Sequence, residues 1–272
     1  MNFGLIIIGD EILSGKRQDK HFAKVLALLA ARGLGLAWAR YVGDDRPRLV
    51  ATLRQSFATA DVVFCCGGIG ATPDDHTRQA AAAALGVPLT LHPEAARLIA
   101  ERTAEIAREG RGSADMSTPE NRQRLKMGEF PEGSVVIPNP FNRIPGFEIA
   151  GHFFVPGFPV MAWPMIEAIL DERFAHLHHR EPRGERSLLL YRVAEATATP
   201  LMEAIEAEFP GVKVFSLPSA GHDGRARHIE LGVKGPVALL DAAWERLEAG
   251  ARLLGEVGRP EGLTDPRPGA DA

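Results

Sequence analysis

A glycine-rich turn between an apolar segment and an alanine-rich segment is the feature that most restricts the fold of this chain. Residues 60–66 are short, apolar and β-branched, which is typical of a buried strand in a parallel sheet. Residues 77–86 contain strong helix formers and end in glycine, which predicts a helix with its C-terminal cap. The turn between them, GGIGATPDD at 67–75, therefore joins a strand to a helix.

Strands alternate with helices along the first two thirds of the chain. This order predicts an α/β fold with a mostly parallel sheet, in which ligands bind outside the carboxyl ends of the strands. The predicted strands are 3–8, 35–42, 60–66, 134–140 and 152–155, with a loop at 9–15; the strand at 134–140 is expected to run into a turn. The predicted helices are 20–32, 48–59, 77–86 and 93–108, one that begins at 119, and one that ends near 173.

The composition changes at residues 175–185, which are polar and contain proline and glycine, as a linker between domains does. The segments that follow predict a smaller α+β domain of the order β-α-β-β-α: strands at 187–193, 212–217 and 227–233, and helices at 200–209 and 236–254. We predict a first domain over 1–174 and a second over 187–255. Residues 256–272, rich in proline, glycine and aspartate, are predicted to be a disordered tail.

Charge and hydropathy exclude several classes of function. The 272 residues carry a formal net charge of −4, which argues against nucleic acid as a partner because nucleic-acid binding usually shows as a basic stripe. No stretch approaches 18 uninterrupted apolar residues, and the first ten residues lack a basic segment and a cleavage site. We therefore expect a cytoplasmic protein with no membrane partner.

Three acidic pairs follow three predicted strands. Because the carboxyl ends of parallel strands meet at one edge of a sheet, these pairs are expected to lie together, beside a glycine turn suited to phosphate. Carboxylates repel a bare phosphate, but they bind magnesium or manganese, which phosphate oxygens also bind. The alternative is that they are solvated loop charges and helix caps. The pairs are Asp10 with Glu11, Asp44 with Asp45, and Asp74 with Asp75.

The same segments resemble the molybdopterin-binding fold of molybdenum-cofactor biosynthesis proteins, of the MoaB/Mog type. More closely, they resemble the N-terminal part of the competence/damage-inducible protein A (CinA) family, whose glycine turn commonly reads Gly-Gly-Leu-Gly-Pro-Thr-x-Asp-Asp. This chain departs from that turn at Ile69 and Ala71. The resemblance covers roughly residues 3–172, and the segments that carry it are 8–15, 42–45, 67–77, 139–147 and 156–159.

The resemblance implies a three-layer large domain, a KH-like small domain and assembly into dimers or trimers. Full-length family members continue into a nicotinamide-mononucleotide amidase domain. These 272 residues leave no room for it, so amidase activity is not expected of this chain.

Two activities follow from the resemblance: metal-dependent hydrolysis of the pyrophosphate in ADP-ribose or FAD, and binding of molybdopterin or a nucleotide without hydrolysis. The expected cofactor is a divalent metal, Mg, Mn or Co. The implied catalytic pair is Asp44 and Asp75, and the candidate metal ligands are Glu11, Asp74 and Asp75. The candidate phosphate-binding residues are Gly67, Gly68, Gly70, Thr72 and Thr77, and the candidate substrate-binding residues are Asn139, Pro156, Gly157 and Phe158.

One departure bears on the choice between these activities. Where molybdopterin relatives often have Pro-Gly-Asn-Pro, this chain has phenylalanine at 158, which cannot donate the amide hydrogen bonds of asparagine but can stack on an aromatic ring. The departure weakens the molybdopterin interpretation. A further alternative is RNA binding by the small domain, since residues 221–224 fit a Gly-x-x-Gly clamp, although the aspartate within it opposes phosphate binding.

Overall fold

The computed structural model describes residues 2–180, 182–219 and 227–260. The chain divides into two compact units, residues 1–178 and 179–272, where the sequence predicted domains over 1–174 and 187–255. The Gly-x-x-Gly segment at 221–224 and residues 261–272 of the predicted tail lie outside the described residues. Among the residues that are described, no helix is both long enough and apolar enough to cross a membrane.

The first unit follows the predicted alternation of strands and helices. Its strands are β1 Phe3–Ile8, β2 Leu36–Val42, β3 Val62–Cys66, β4 Leu89–Leu91, β5 Glu129–Pro131, β6 Val135–Ile137, β7 Gly146–Ile149 and β8 His152–Val155. Its α-helices are α1 Asp10–Leu13, α2 His21–Ala30, α3 Arg46–Phe57, α4 Thr77–Leu85, α5 Pro93–Arg108, α6 Pro119–Leu125 and α7 Pro159–Arg173.

Six of these strands form one sheet in the order β2-β1-β3-β8-β7-β6. The first four are mutually parallel, and β7 and β6 extend the sheet through antiparallel pairs. Strands β1, β3 and β8 are buried along their whole length, as the central strands of a parallel sheet covered on both faces must be.

Helices cover both faces of this sheet, so the unit has three layers. Alternate residues of β1 point to opposite faces. Leu5 and Ile7 belong to a core with buried residues of α2 and α7, whereas Ile6 and Ile8 belong to a second core with residues of α3 and α4. Each fully buried isoleucine or leucine contributes about 1.5–3 kcal/mol, so two apolar cores hold the parallel strands in place.

The second unit has the predicted β-α-β-β-α order plus one more strand. Leucine, isoleucine and valine side chains on one face of its antiparallel sheet pack against both helices. The sheet order is β10-β11-β9-β12. The elements are β9 Arg183–Tyr191, α8 Glu195–Glu208, β10 Lys213–Ser219, β11 His228–Pro236, α9 Val237–Leu254 and β12 Glu256–Gly258.

Three predictions of local structure were wrong. The predicted loop at 9–15 contains the four-residue helix α1, in which Ser14 N–H donates to Asp10 O at 2.8 Å. Strand β9 begins inside the predicted linker because its first residues pair with the end of β11. Residues 256–258 were assigned to the disordered tail, but they form β12, which pairs with β9 and covers a sheet edge that would otherwise be open.

Candidate functional site

A cavity of about 520 Å³ lies at the carboxyl ends of the parallel strands in the first unit. Its walls come from the segments that follow β1, β2, β3 and β8, together with residues near 127 and 139–145. This is the edge at which open α/β sheets bind ligands, because the segments after parallel strands converge there. The volume is within the range of roughly 300–1,000 Å³ found for small-molecule sites.

Thr77 holds the first part of the glycine turn from beneath. Its hydroxyl donates to Gly67 O at 3.0 Å, and its backbone N–H donates to Gly68 O at 3.0 Å. Both donors of Thr77 are therefore used inside the protein, and the side chain is fully buried and absent from the cavity wall. The predicted phosphate contact of Thr77 was wrong, since this residue shapes the turn instead.

Two side chains from outside the cavity hold the next part of the turn. Arg78 donates from Nη2 to Gly70 O at 2.6 Å and from Nη1 to Lys126 O. Gln123 donates from Nε2 to Ala71 O at 2.6 Å. Arg78 is almost fully buried, and this burial lowers the pKa of its guanidinium. Four carbonyl groups of the turn are thus bound on the side away from the cavity.

The anchored carbonyls orient the N–H groups of the turn. In a trans peptide the C=O and the next N–H point to opposite sides, and the described chain has no cis peptide. Anchoring the carbonyls of residues 67, 68 and 70 therefore directs the N–H groups of Gly68, Ile69 and Ala71 toward the cavity. Within the described ranges these three N–H groups donate to no protein acceptor. Neighbouring free N–H groups of this kind form a concave anion site.

Asp75 closes the turn. Its Oδ2 accepts hydrogen bonds from the backbone N–H of Thr72 at 2.8 Å and from the Thr72 hydroxyl at 2.5 Å. A Cβ atom on Gly70 would lie 2.5 Å from the same oxygen, which explains the third glycine. Asp75 and Thr72 both line the cavity, but their mutual bonds commit one carboxylate oxygen to the structure of the turn.

Asp44 is held at the entrance of α1. The Asp10 backbone N–H donates to Asp44 Oδ2 at 2.8 Å, and the Asp44 backbone N–H donates to Asp10 Oδ1 at 3.1 Å. Partial burial raises the pKa of the Asp44 carboxyl, and the nearby carboxylates of Asp10, Asp74 and Glu11 raise it further, against the opposing effect of the hydrogen bond. Asp44 is therefore oriented by the backbone and is easier to protonate than an ordinary aspartate.

Four carboxylates share the cavity: Glu11, Asp44, Asp74 and Asp75. Within the described part of the chain, no three His, Cys, Asp or Glu side chains converge into a ready metal cage. The chemistry of these donors nevertheless fits magnesium or a similar cation, which is commonly held by one or two carboxylates together with substrate phosphates. A metal would therefore depend on the ligand for part of its coordination.

Two predicted residues have local structural roles instead. Asp45 accepts from Arg48 N–H at 2.9 Å as the N-cap of α3, and it does not line the cavity. Asn139 does line the cavity, but its Nδ2 donates to Asn142 Oδ1 and to Ile144 O, and its Oδ1 accepts from a backbone N–H of its own turn. Both amide donors of Asn139 are thus used inside the protein. A contact between Asn139 and a substrate stays a prediction, which its place in the cavity wall allows.

Apolar side chains form another part of the wall. Pro156, Gly157 and Phe158, which were predicted to bind substrate, all line the cavity. Phe158 is 55% exposed, which leaves its ring free to stack on a planar ligand. Other apolar lining residues include Ile8, Ile12, Ile69, Met127, Ile144, Pro145 and Met161.

Sequence reasoning missed Arg17, Arg78 and Gln123. Arg17 follows α1 and lines the cavity, and its position in the segment after the first strand could have indicated it. Arg78 and Gln123 lie within helices and touch the turn only after folding. No local pattern distinguishes them from ordinary polar residues of a helix.

Gln123→Ala tests whether the anchored carbonyls matter for anion binding. We expect affinity for inorganic pyrophosphate, measured by calorimetry, to fall by about 3–10-fold, which corresponds to one hydrogen bond of about 1 kcal/mol. The melting temperature should change little, because Gln123 is exposed. Gln55→Ala is the matched control, since Gln55 is also exposed and accepts one side-chain hydrogen bond on α3, outside the cavity wall. Equal affinities of the two variants would contradict the role of Gln123.

Comparison with known proteins places the chain in a family. Residues 4–176 match the family model described as "Probable molybdopterin binding domain". A CinA-like protein of Anaeromyxobacter sp. (strain Fw109-5) is 33% identical over 249 residues, which cover 85% of this chain and 58% of that protein. A CinA-like protein of Anaeromyxobacter dehalogenans (strain 2CP-1) is 30% identical over 308 aligned positions, covering 100% of this chain and 72% of the relative. The chain thus spans little more than half the length of the first of these relatives.

A solved structure supports the same assignment. The crystal structure of the protein CinA of unknown function from Thermoplasma acidophilum superposes with a TM-score of 0.53 at 26% sequence identity. The match covers 63% of this chain and 98% of that one. The predicted α/β fold with a mostly parallel sheet and a smaller second domain is confirmed. The chain belongs to the probable molybdopterin-binding domain family and, within it, to the CinA-like proteins.

Proposed function

We propose that this protein is a metal-dependent hydrolase of nucleotide pyrophosphate bonds, with ADP-ribose, FAD or a similar dinucleotide as its substrate. One observation carries the proposal: the oriented N–H groups of the glycine turn and four carboxylates line the same cavity. The N–H groups suit a phosphate, and the carboxylates suit a divalent cation bound to that phosphate.

The glycine turn would hold one phosphate of the substrate. Its N–H groups are aimed before any ligand arrives, because Thr77, Arg78 and Gln123 bind the carbonyls on the other side. Hydrogen bonds to an ionised oxygen are about twice as strong as neutral ones. Glycine residues 67 and 68, with φ of 113° and 67°, permit the backbone path that this arrangement requires.

Glu11 and Asp74 are the candidates to hold a divalent cation, because both line the cavity. A hydrogen bond from Thr72 lowers the pKa of the Asp74 carboxyl, which favours its charged form. Magnesium, manganese or cobalt would supply Lewis acidity and would lower the pKa of bound water. Asp75 would contribute chiefly by fixing the turn, since its Oδ2 is bound to Thr72.

Asp44 would accept the proton of the attacking water. Its raised pKa makes it a stronger base than an ordinary aspartate, and the Asp10 N–H fixes the orientation of its carboxylate. The water oxygen would form a bond to one phosphorus atom while the bond from that atom to the bridging oxygen breaks. ADP-ribose would thereby give AMP and ribose 5-phosphate, with the proton shared between Asp44 and the departing phosphate.

Incubation of the purified chain with ADP-ribose or FAD and each of the three metals tests the proposal. We expect AMP to accumulate with at least one metal, as measured by chromatography, and to stop accumulating when the metal is chelated. No AMP from either substrate with any of the metals would contradict hydrolysis.

Binding of a pterin or nucleotide without turnover is the second candidate. It is favoured by the absence of a converged acidic cage among the described residues and by the exposed ring of Phe158 beside the cavity. This candidate would be supported if calorimetry detects binding of a pterin or a nucleotide and no hydrolysis of the dinucleotides is measured. Assembly into a dimer or trimer stays a prediction, which light scattering on the eluting protein would check.

A further inference from the structure

Arg17 contributes the positive charge of a largely acidic cavity. Among the described residues that line this space, Arg17 is the basic one, facing four carboxylates. A ligand with two phosphate groups meets considerable repulsion in such a place unless cationic groups balance each phosphate. The glycine turn offers N–H groups to one phosphate, and Arg17 comes from a different segment of the wall.

The backbone places Arg17 at the cavity in a defined way. Its N–H donates to Glu11 O at 2.9 Å, which folds the segment after α1 back over that helix. Gly15 makes this path possible, with φ of 73° and an N–H that donates to Ile12 O at 3.1 Å. The side chain therefore starts from a fixed point beside the carboxylates.

The guanidinium of Arg17 forms no ion pair with the described residues, although Glu11, Asp44 and Asp74 line the same cavity. Elsewhere in this unit, arginines near carboxylates do pair, as Arg32 does with Asp171 at 2.6 Å. The five donors of Arg17 thus remain available to a ligand. An arginine matches phosphate with two parallel hydrogen bonds, which a lysine cannot reproduce.

We propose that Arg17 binds the second phosphate of a diphosphate ligand whose first phosphate lies against the glycine turn. This inference rests on the proposed function and narrows it: the ligand class is the diphosphates, including diphosphate diesters, and simple phosphate monoesters are excluded as good ligands. Arg17 would select the substrate without taking part in bond breaking.

Calorimetric binding of inorganic pyrophosphate and inorganic phosphate to the full chain, with and without magnesium, tests the inference. Arg17→Ala should weaken pyrophosphate binding by about 10–100-fold, because the variant loses the charge-assisted hydrogen bonds to the second phosphate group. It should weaken phosphate binding by less than about threefold, because a single phosphate binds at the glycine turn. Arg17→Lys should restore only part of the loss. Lys16→Ala is the matched control, since Lys16 is also exposed and does not line the cavity; it should bind both anions as the unaltered chain does.

The outcomes separate this inference from the hydrolase proposal. If pyrophosphate binds in an Arg17-dependent way but no dinucleotide is cleaved, the diphosphate site stands and hydrolysis fails. If dinucleotides are cleaved equally by Arg17→Ala and by the unaltered chain, hydrolysis stands and the inference is overturned. The inference is also overturned if Arg17→Ala weakens the binding of pyrophosphate and of phosphate equally, or if the unaltered chain binds neither anion.

Discussion

Asp44→Asn should slow hydrolysis of ADP-ribose or FAD by about 10²–10⁴-fold, the usual contribution of a positioned acid or base. The same change should raise the melting temperature at pH 7 by about 2–4 °C, as relief of an unfavourable charge at a functional site commonly does. Asparagine has the same shape, and its Oδ1 still accepts from Asp10 N–H. Activity and stability therefore move in opposite directions.

The stability gain depends on pH in a defined sense. The pKa of Asp44 is raised in the folded protein, so the native state binds its proton more tightly than the unfolded state does. The free energy of unfolding then falls as pH rises from the ordinary carboxyl pKa of about 4 to the folded value, and the loss is complete above that value. Asparagine does not titrate, so the free energy of unfolding of the variant does not decrease in this way. The gain should be present at pH 7 and absent near pH 3, in calorimetric melts with a metal chelator.

Asp45→Asn is the matched control for this pair of effects. Asp45 is the next residue, but it caps α3, and asparagine caps helices as well as aspartate does. We expect neither the rate nor the melting temperature to change appreciably. A melting temperature of Asp44→Asn that lies below that of the unaltered chain at pH 7 would contradict the electrostatic account.

Gly68→Ala is expected to abolish anion binding and to lower the free energy of unfolding by about 2–5 kcal/mol. A φ of 67° costs an ordinary residue about 1–2 kcal/mol. The new Cβ would also collide with the Thr77 hydroxyl, which is buried and bound to Gly67 O, and this overlap adds about 1–3 kcal/mol. Displacing Thr77 releases the carbonyl that orients the turn. Urea unfolding and pyrophosphate calorimetry measure the two effects.

Gly86→Ala separates conformational strain from collision. Gly86 caps α4 with a φ of 71°, almost the same as that of Gly68, but a Cβ there meets no heavy atom within 4 Å. This variant should lose only about 1–2 kcal/mol and should keep its anion affinity. If both variants lose the same stability and both still bind pyrophosphate, the packing argument for the turn is wrong.

The parallel core could be predicted because its sequence signals are local and strong. Strand β1 and helices α4 and α5 lie where apolar runs, helix formers, proline and glycine indicated them. Strands β4, β5, β7 and β12 were missed, since each has only three or four residues and depends on pairing with another strand. Helix α1 was missed for a similar reason, because four residues are too few to show a helical period.

The candidate site divides in the same way. The meeting of Glu11, Asp44 and Asp74 at one cavity could be predicted, because parallel strands deliver their following segments to one edge. The roles of Thr77 and Asn139 could not, since whether a polar side chain faces a ligand or its own backbone depends on geometry that spacing does not encode. Arg78 is buried and contacts the turn from the protein interior. The sequence contains no signal that predicts a buried arginine at this position.

The carbonyl anchors of the glycine turn also affect the thermodynamics of binding. A loop that must be ordered by its ligand gives up part of the interaction energy as lost conformational entropy. Here Thr77, Arg78 and Gln123 have already fixed the peptide planes through bonds made during folding. The conformational entropy of the turn is therefore lost during folding and not during binding. Each contact between the turn and a ligand then contributes a larger part of its energy to affinity.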